Sequence, residues 1–329
     1  MSKNLLVSPV SVERSGTGVN LSNQLIPSLL RYFATISNTF GSGRGIRFGC
    51  TLAAKAIGHA NRLAFKLGGG GTFIVRTDDR YWLTYLLLAQ SYETDLDHLL
   101  SCVLKPTDSF LDCGANLGLW SIAASRVIDD AERVVAVEAS SATFAQLKEN
   151  WEANNRSFTI LHRAVGDVSG ERVSFFASLG DHASATMLQG LRPADAQEEV
   201  VTTVAVLDLI TEQREERTAN DALIFVKLDI EGMERQILAT ISPSDHQDLV
   251  LLYEDHGSER DHVTAFVLEL GFHVAFLADD GSIEPLSKDN LYRLDALKTN
   301  SARGYNLLAF APGGTAEARL TTVYGRKLG

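Results

Sequence analysis

Three acidic residues follow short apolar runs in a row. Asp112 comes after Phe110-Leu111, Glu138 after Val134-Val-Ala-Val137, and Asp167 after Ala164-Val-Gly166. In an open α/β sheet, ligands bind outside the carboxyl ends of the strands, so an acid at each end is placed to meet one. The first acid opens the turn Asp112-Cys-Gly-Ala-Asn-Leu-Gly118. A sharp strand-to-helix turn needs glycine for its backbone angles and for close approach of a ligand, and the free N–H groups of the helix that follows favour a negative ligand group. Asn116 stands where a dinucleotide loop places its middle glycine, which disfavours a pyrophosphate and suits a nucleoside. Glu138 is then positioned to accept the two hydroxyls of a ribose. Asp167 is positioned to accept the exocyclic amine of an adenine.

These residues need a parallel sheet to align them, and the chain supplies its pattern from Ser109 onward. Strands are predicted at Phe110–Cys113, Arg133–Glu138, Phe158–Val165, Ile224–Asp229, Leu249–Glu254, Phe272–Leu277 and Asn306–Phe310. Helices are predicted at Leu117–Val127, Ala142–Ala153, Met233–Ile241 and Arg260–Leu270. Strands separated by helices imply βαβ units and a sheet covered on both faces; the last two strands lack a helix between them and read as a hairpin-like pair. One antiparallel excursion, Val173–Ala177 with Glu199–Val206, follows the third core strand. Residues 1–70 are rich in Ser, Asn and Gly, and read as a helical extension with helices around Leu25–Phe33 and Leu52–Leu67. Gly68–Gly71 then breaks the chain as a turn. The boundary between this extension and the α/β domain, 71–329, falls there.

The 329 residues are 45% hydrophobic and 22% charged, enough for a proper core. A net charge of −11 argues against nucleic acid as a partner. No apolar run approaches a membrane span, and the N-terminus lacks a long apolar secretory region. Cys50, Cys102 and Cys113 form neither a disulfide framework nor a zinc signature, so a reducing cytoplasm is the expected compartment.

From about Gly71 to Pro312 the chain resembles the FkbM-type family of S-adenosylmethionine-dependent methyltransferases. The resemblance rests on Asp112-Cys-Gly-Ala-Asn-Leu-Gly118, Val137-Glu138, Leu147-Lys-Glu-Asn150, Ala164-Val-Gly-Asp167 with Gly170, Leu207-Asp208, Lys227-Leu-Asp-Ile-Glu-Gly-Met-Glu234 and Glu254. Ser91-Tyr-Glu93 and Tyr305-Asn-Leu-Leu also fit. It implies a Rossmann-like class I fold with a seven-stranded, mostly parallel sheet. It further implies S-adenosyl-L-methionine as cofactor and methyl transfer to a hydroxyl of a small molecule: a sugar, glycan precursor or natural product. By the same resemblance Glu93 contacts the methionine amino group. Asp112, Gly114, Asn116, Gly118, Glu138, Ala139, Ala164, Val165, Asp167 and Asp229 then complete the cofactor set.

A hydroxyl acceptor must be held in line with the methyl group and lose its proton. His256 is the base favoured by intrinsic pKa, and Asp229 its rival. Glu254 ends the fifth strand beside them. Lys227 shares the orientation of Asp229 off its strand and reads as a partner for Glu231 or Glu234. His182 and Ser184 of the excursion loop, with Glu231 and Asp255, are the candidate acceptor contacts. Asp229, Glu231, Glu254, Asp255 and His256 have the oxygen-rich make-up of a divalent cation site, though the resemblance demands no metal and none is expected. The N-terminal extension is a candidate homodimer contact. Two other function classes compete: a nicotinamide-dependent oxidoreductase, disfavoured by Asn116 and by the lack of a Tyr-x-x-x-Lys pair, and a non-catalytic binding protein, disfavoured by the intact acidic strand ends.

Overall fold

The structure is a computed structural model that describes residues 12–15, 62–77, 79–86, 92–178, 196–217, 219–230, 232–255, 263–297 and 305–325. It opens with a small antiparallel sheet of β1 (Val12–Ser15), β2 (Arg62–Lys66) and β3 (Thr72–Arg76). The helix expected over Leu52–Leu67 is therefore corrected for its last residues. Arg62–Lys66 pairs antiparallel with Thr72–Arg76 along its whole length; Leu63, Ala64 and Phe65 are buried in succession, while β3 alternates with Phe73 and Val75 buried. The turn at Gly68–Gly71 is closed by Leu67 and Gly70 backbone bonds and joins β2 to β3, so the expected boundary at 70/71 falls inside a hairpin. Leu25–Phe33 lies outside the described residues.

Two short helices, α1 (Arg80–Thr84) and α2 (Thr94–Val103), lead into the main sheet. Its elements are β4 (Ser109–Cys113), α3 (Leu119–Ala124), β5 (Val134–Glu138), α4 (Ser141–Ala153) and β6 (Thr159–His162). An excursion follows: β7 (Ala164–Gly166), β8 (Arg172–Ser178) and β9 (Ala196–Ala205), with β9 parallel to β7 and antiparallel to β8. The chain returns through α5 (Val206–Glu215), β10 (Ile224–Leu228), α6 (Glu234–Leu238), β11 (Leu249–Glu254), α7 (Val263–Glu269), β12 (His273–Leu277), β13 (Ile283–Leu286), α8 (Leu294–Leu297), β14 (Asn306–Phe310) and α9 (Thr315–Tyr324).

The main sheet has eight strands in the order β13-β12-β14-β11-β10-β4-β5-β6. Strands β11, β10, β4, β5 and β6 run parallel, and the α/β class with a Rossmann-like arrangement is as expected. The strand number is corrected from seven to eight. Ile283–Leu286 pairs antiparallel with β12 and contains Pro285, which lacks an N–H and so suits the outermost position. β12 and β14 are adjacent and antiparallel as expected, but β13 and α8 intervene, so they do not form a simple hairpin. A further correction concerns the third core strand. It breaks at Arg163, leaving Thr159–His162 in the main sheet while Ala164–Gly166 joins the excursion.

Alternation along the strands sorts side chains onto two faces. One core contains Phe110, Ala136, Phe225, Leu252 and Leu308, packed with Trp82, Leu96, Trp120 and Leu147 from α1 to α4. The other contains Leu111, Val137, Val226, Leu251 and Leu307, packed with Leu209, Ile237 and Val267 from α5 to α7. The small sheet is tied to the first face by α4. Asn150 exchanges hydrogen bonds with both backbone groups of Ile74, at 2.6 and 3.1 Å, and Asn154 does the same with Thr72, at 2.9 and 2.7 Å. Two amide side chains thus stand in for a neighbouring strand along an otherwise open edge. No described helix is long and apolar enough to cross a membrane.

Candidate active site

Alternation carries a consequence for the strand ends. Phe110, Phe225, Leu252 and Ala136 belong to the first core face. The residues two further along, Asp112, Lys227, Glu254 and Glu138, therefore emerge on that same face at the carboxyl edge. Register brings Asp112 directly beside Lys227 and Glu138 beside His162. A row of polar groups from four neighbouring strands is thus set by strand phase alone.

The glycine turn sits beneath this row. Gly114 has φ +82°, and a Cβ there would lie 1.8 Å from the carbonyl oxygen of Asp229. Only glycine permits that approach. The Gly114 and Ala115 amides donate to the carbonyl of Val137, which ties the turn to β5. Asn116 takes the left-handed conformation at φ 51°, which asparagine tolerates better than most residues. Its Oδ1 accepts from the Leu117 amide at 2.8 Å and from Trp82 Nε1 at 3.1 Å. At Gly118, φ +84°, a Cβ would meet Leu147 Cδ1 at 2.5 Å. The helix that follows is short, and its Ser121 amide and hydroxyl both donate to Asp112 Oδ2, at 3.1 and 2.7 Å.

Glu138 is buried and fixed at both oxygens. Oε1 accepts from the Ser140 amide at 2.8 Å and Oε2 from the Asn116 amide at 2.9 Å. Burial nonetheless pushes its carboxyl up to about 7, against the pull of those two N–H groups. Ala139 is half-buried beside it, and Ala164 and Val165 are buried in β7.

Lys227 is buried, and its Nζ donates to Asp229 Oδ2 at 2.8 Å. This corrects the expected pairing. Glu234 uses its own oxygens on the amides of Ile230 and Gly232, closing the loop after β10, and Glu231 lies outside the described residues. Burial alone would strip the Lys227 proton. The Asp229, Glu93 and Asp112 carboxylates around it overcome that and hold the ammonium charged. The reverse balance governs the carboxylates. Burial raises Asp112 despite Lys227 and Ser121. Burial also pushes Glu93 up to about 8, with Lys227 opposing and Glu254, Asp229 and Asp95 adding to the rise. Asp112 Oδ1 is buried and has no hydrogen-bond partner among the described residues.

Glu93 reaches this cluster from the loop before α2. Its backbone is left-handed at φ 41°, and its Oε2 accepts from Trp120 Nε1 at 2.8 Å. Around it stand Tyr81, Trp82, Tyr85 and Tyr92. The Trp82–Tyr92 ring centroids are 4.7 Å apart, those of Tyr85–Tyr92 4.9 Å, and the Tyr81 and Tyr92 hydroxyls 3.1 Å. Burial pushes both tyrosine hydroxyls up, so they stay protonated. The structure adds that two indole N–H groups, of Trp82 and Trp120, fasten the segment to Asn116 and Glu93. Trp120, just after Gly118 in the sequence, was the available signal.

Two candidates stand elsewhere. Asp167 is exposed, five residues past the end of β6, and its Oδ2 accepts from Gln236 Nε2 at 3.2 Å. The break at Arg163 puts His162, not Asp167, at the edge of the main sheet. Asp255 was expected at the acceptor; instead it is buried and turned onto α7, where its Oδ2 accepts from the amide and hydroxyl of Thr264 at 2.8 and 2.6 Å. That is a helix-capping arrangement. Glu254 is half-buried at the end of β11. His182, Ser184, Glu231 and His256 lie outside the described residues. Among the described residues no group of three or more His, Cys, Asp or Glu is arranged to hold a metal ion.

No curated protein matches the chain. Among solved structures, the methyltransferase FkbM from Methylobacillus flagellatus KT is similar at 12% identity and a TM-score of 0.36 over 67% of this chain and 56% of that one. The chain thus spans little more than half the length of that relative. A precorrin-6y C5,15-methyltransferase from Geobacter metallireducens GS-15 is similar at 13% identity and a TM-score of 0.33, over 66% of this chain and 87% of that one. Residues 112–274 run from the first acid of the row to β12, and they match the model of the methyltransferase FkbM domain; the chain belongs to that family of methyltransferases.

Proposed function

We propose that this methyltransferase uses S-adenosyl-L-methionine and methylates a hydroxyl of a small molecule, such as a sugar, glycan precursor or natural product. The observation that carries the reading is Glu138 at the end of β5. Its carboxylate is oriented by two backbone N–H groups beside a glycine turn, leaving lone pairs for a pair of hydroxyls. The residues fit such a cofactor at its other end as well. Asp112 Oδ1 is a buried acceptor in want of a donor, and the surplus of carboxylates over the single ammonium of Lys227 suits a cationic ligand.

In this reading Glu138 holds the ribose, with Ala139, Ala164 and Val165 toward the adenine. Glu93 and Asp112 hold the amino group of the methionine moiety. Bound there, the cofactor supplies an electrophilic methyl group on a sulfonium. Lys227 holds Asp229 Oδ2 and so orients that carboxylate at the transfer end. The acceptor hydroxyl gives its proton to His256 or to Asp229, with Glu254 nearby, and is positioned by His182, Ser184 and Glu231. The protonated Tyr81 and Tyr92 form an apolar wall with two hydroxyls, which shields the site from water while still offering donors.

Incubation with tritium-methyl S-adenosylmethionine and a panel of hydroxylated acceptors tests this. The expected product carries the label in an alkali-stable ether. Label on nitrogen or carbon overturns the O-methyl assignment.

A further inference from the structure

The row of side chains on the first face ends one strand beyond those considered so far. β6 lies outermost, and its last residue, His162, pairs in register with Glu138. Two consecutive groups at this strand end grip the turn after β5. The Arg163 amide donates to the carbonyl of Glu138 at 3.1 Å. His162 Nε2 lies 3.0 Å from the carbonyl of Ala139. A carbonyl only accepts, so Nε2 carries the proton in that bond. The imidazole also stacks on Phe144 of α4, with centroids 4.8 Å apart and planes inclined by 21°. The ring is thus wedged between the turn it bonds and the helix that the turn begins.

That turn determines where the Glu138 carboxylate stands. The Ser140 amide, one residue beyond the bonded carbonyl, donates to Glu138 Oε1, and the Ser140 hydroxyl caps α4 at Thr143. Freeing the Ala139 carbonyl lets the 139–140 peptide rotate, and the amide that orients Glu138 belongs to that peptide. We propose that His162 is a positioning residue for Glu138, and through it for the adenosine end of the cofactor. The inference rests on the cofactor reading given above. His162 acts on binding and not on the transfer step, because it stands at the opposite end of the row from Asp229 and Glu254.

Calorimetric titration of the full chain with S-adenosylhomocysteine tests this in wild type, His162→Leu and His162→Gln. Glutamine offers an amide N–H at a reach similar to Nε2. Loss of one such positioning hydrogen bond should weaken binding about tenfold in His162→Leu, and His162→Gln should recover to within about threefold of wild type. Turnover at saturating cofactor should be the same in all three. Hydrogen exchange at the Ser140 amide gives a second reading independent of ligand: faster in His162→Leu, restored in His162→Gln. Equal affinity of wild type and His162→Leu overturns the proposal, as does a glutamine variant as weak as the leucine one. Wild type that binds no S-adenosylhomocysteine overturns the cofactor reading instead, and the two failures are therefore distinct.

Discussion

The two ends of the polar row are built on different principles. At the β4–β5 end the groups are held by backbone: Glu138 by the Asn116 and Ser140 amides, and the glycine turn by the Val137 carbonyl. All the partners lie within one βαβ unit. At the β10 end the groups are held by side chains from distant segments. Lys227 is set among Asp229, Asp112 and Glu93, and Glu93 is carried in on a loop by Trp120. The first arrangement brings in no second charge, and burial still raises the Glu138 carboxyl against the pull of its amides. The second concentrates charge in a dry place, and its pieces are stable only together.

That contrast can be broken at several points, and the largest effect is expected where both ends meet. In Gly114→Ala the new Cβ falls 1.8 Å from the Asp229 carbonyl in a backbone region hostile to alanine. Overlap and strain together should cost about 4 kcal/mol or more in urea unfolding and abolish cofactor binding. Lys227→Met leaves the neighbouring carboxylates without their cation. Removing one member of a buried charged set should cost about 3 kcal/mol. A neutral result in the same unfolding experiment would show that the carboxylates carry protons and need no lysine.

Glu138→Ala comes next. It should weaken cofactor affinity by about one to two orders of magnitude, the scale of hydrogen bonds to a buried charge; unchanged affinity would remove Glu138 from the ribose role. pH gives a finer probe of the same group. The Glu138 carboxyl is raised to about 7 in the folded chain from 4.5. In that window the folded state binds more protons than the unfolded state, so this group's contribution to stability falls as pH rises from about 4.5 through 7. Affinity should move the opposite way. It should rise through pH 7 as the carboxylate forms, and the rise should be missing in Glu138→Gln. The smallest effect belongs to Asp167→Ala. An exposed carboxylate bonded to Gln236 should contribute about fivefold to affinity at most. A hundredfold loss would return Asp167 to the centre of the adenine site.

The same contrast explains what could be read from the sequence. The β4–β5 end was legible because strand phase, a glycine turn and an acid at each strand end are all local signals. Glu254 and Lys227 were placed by the same alternation. Glu93 came only through family resemblance, since nothing local says that a residue before α2 folds back onto Trp120. His162 escaped because Phe158–Val165 reads as one continuous strand. The break at Arg163 arises from competition between β5 and β9 for the same segment, which is a tertiary matter. Helix α5 was hidden for a related reason. Val204-Ala-Val206 continues the alternation of β9, while Val206, Leu209, Ile210 and Gln213 already keep helical spacing on the buried side. In the N-terminal segment, helix-favouring Ala and Leu obscured a strand that pairing with Thr72–Arg76 imposes.

Isothermal titration of the full chain with S-adenosylhomocysteine and, separately, with NAD tests the central claim most directly. One equivalent of S-adenosylhomocysteine should bind to wild type and bind far more weakly to Glu138→Ala, with no heat from NAD. Binding of NAD without binding of S-adenosylhomocysteine would contradict the account.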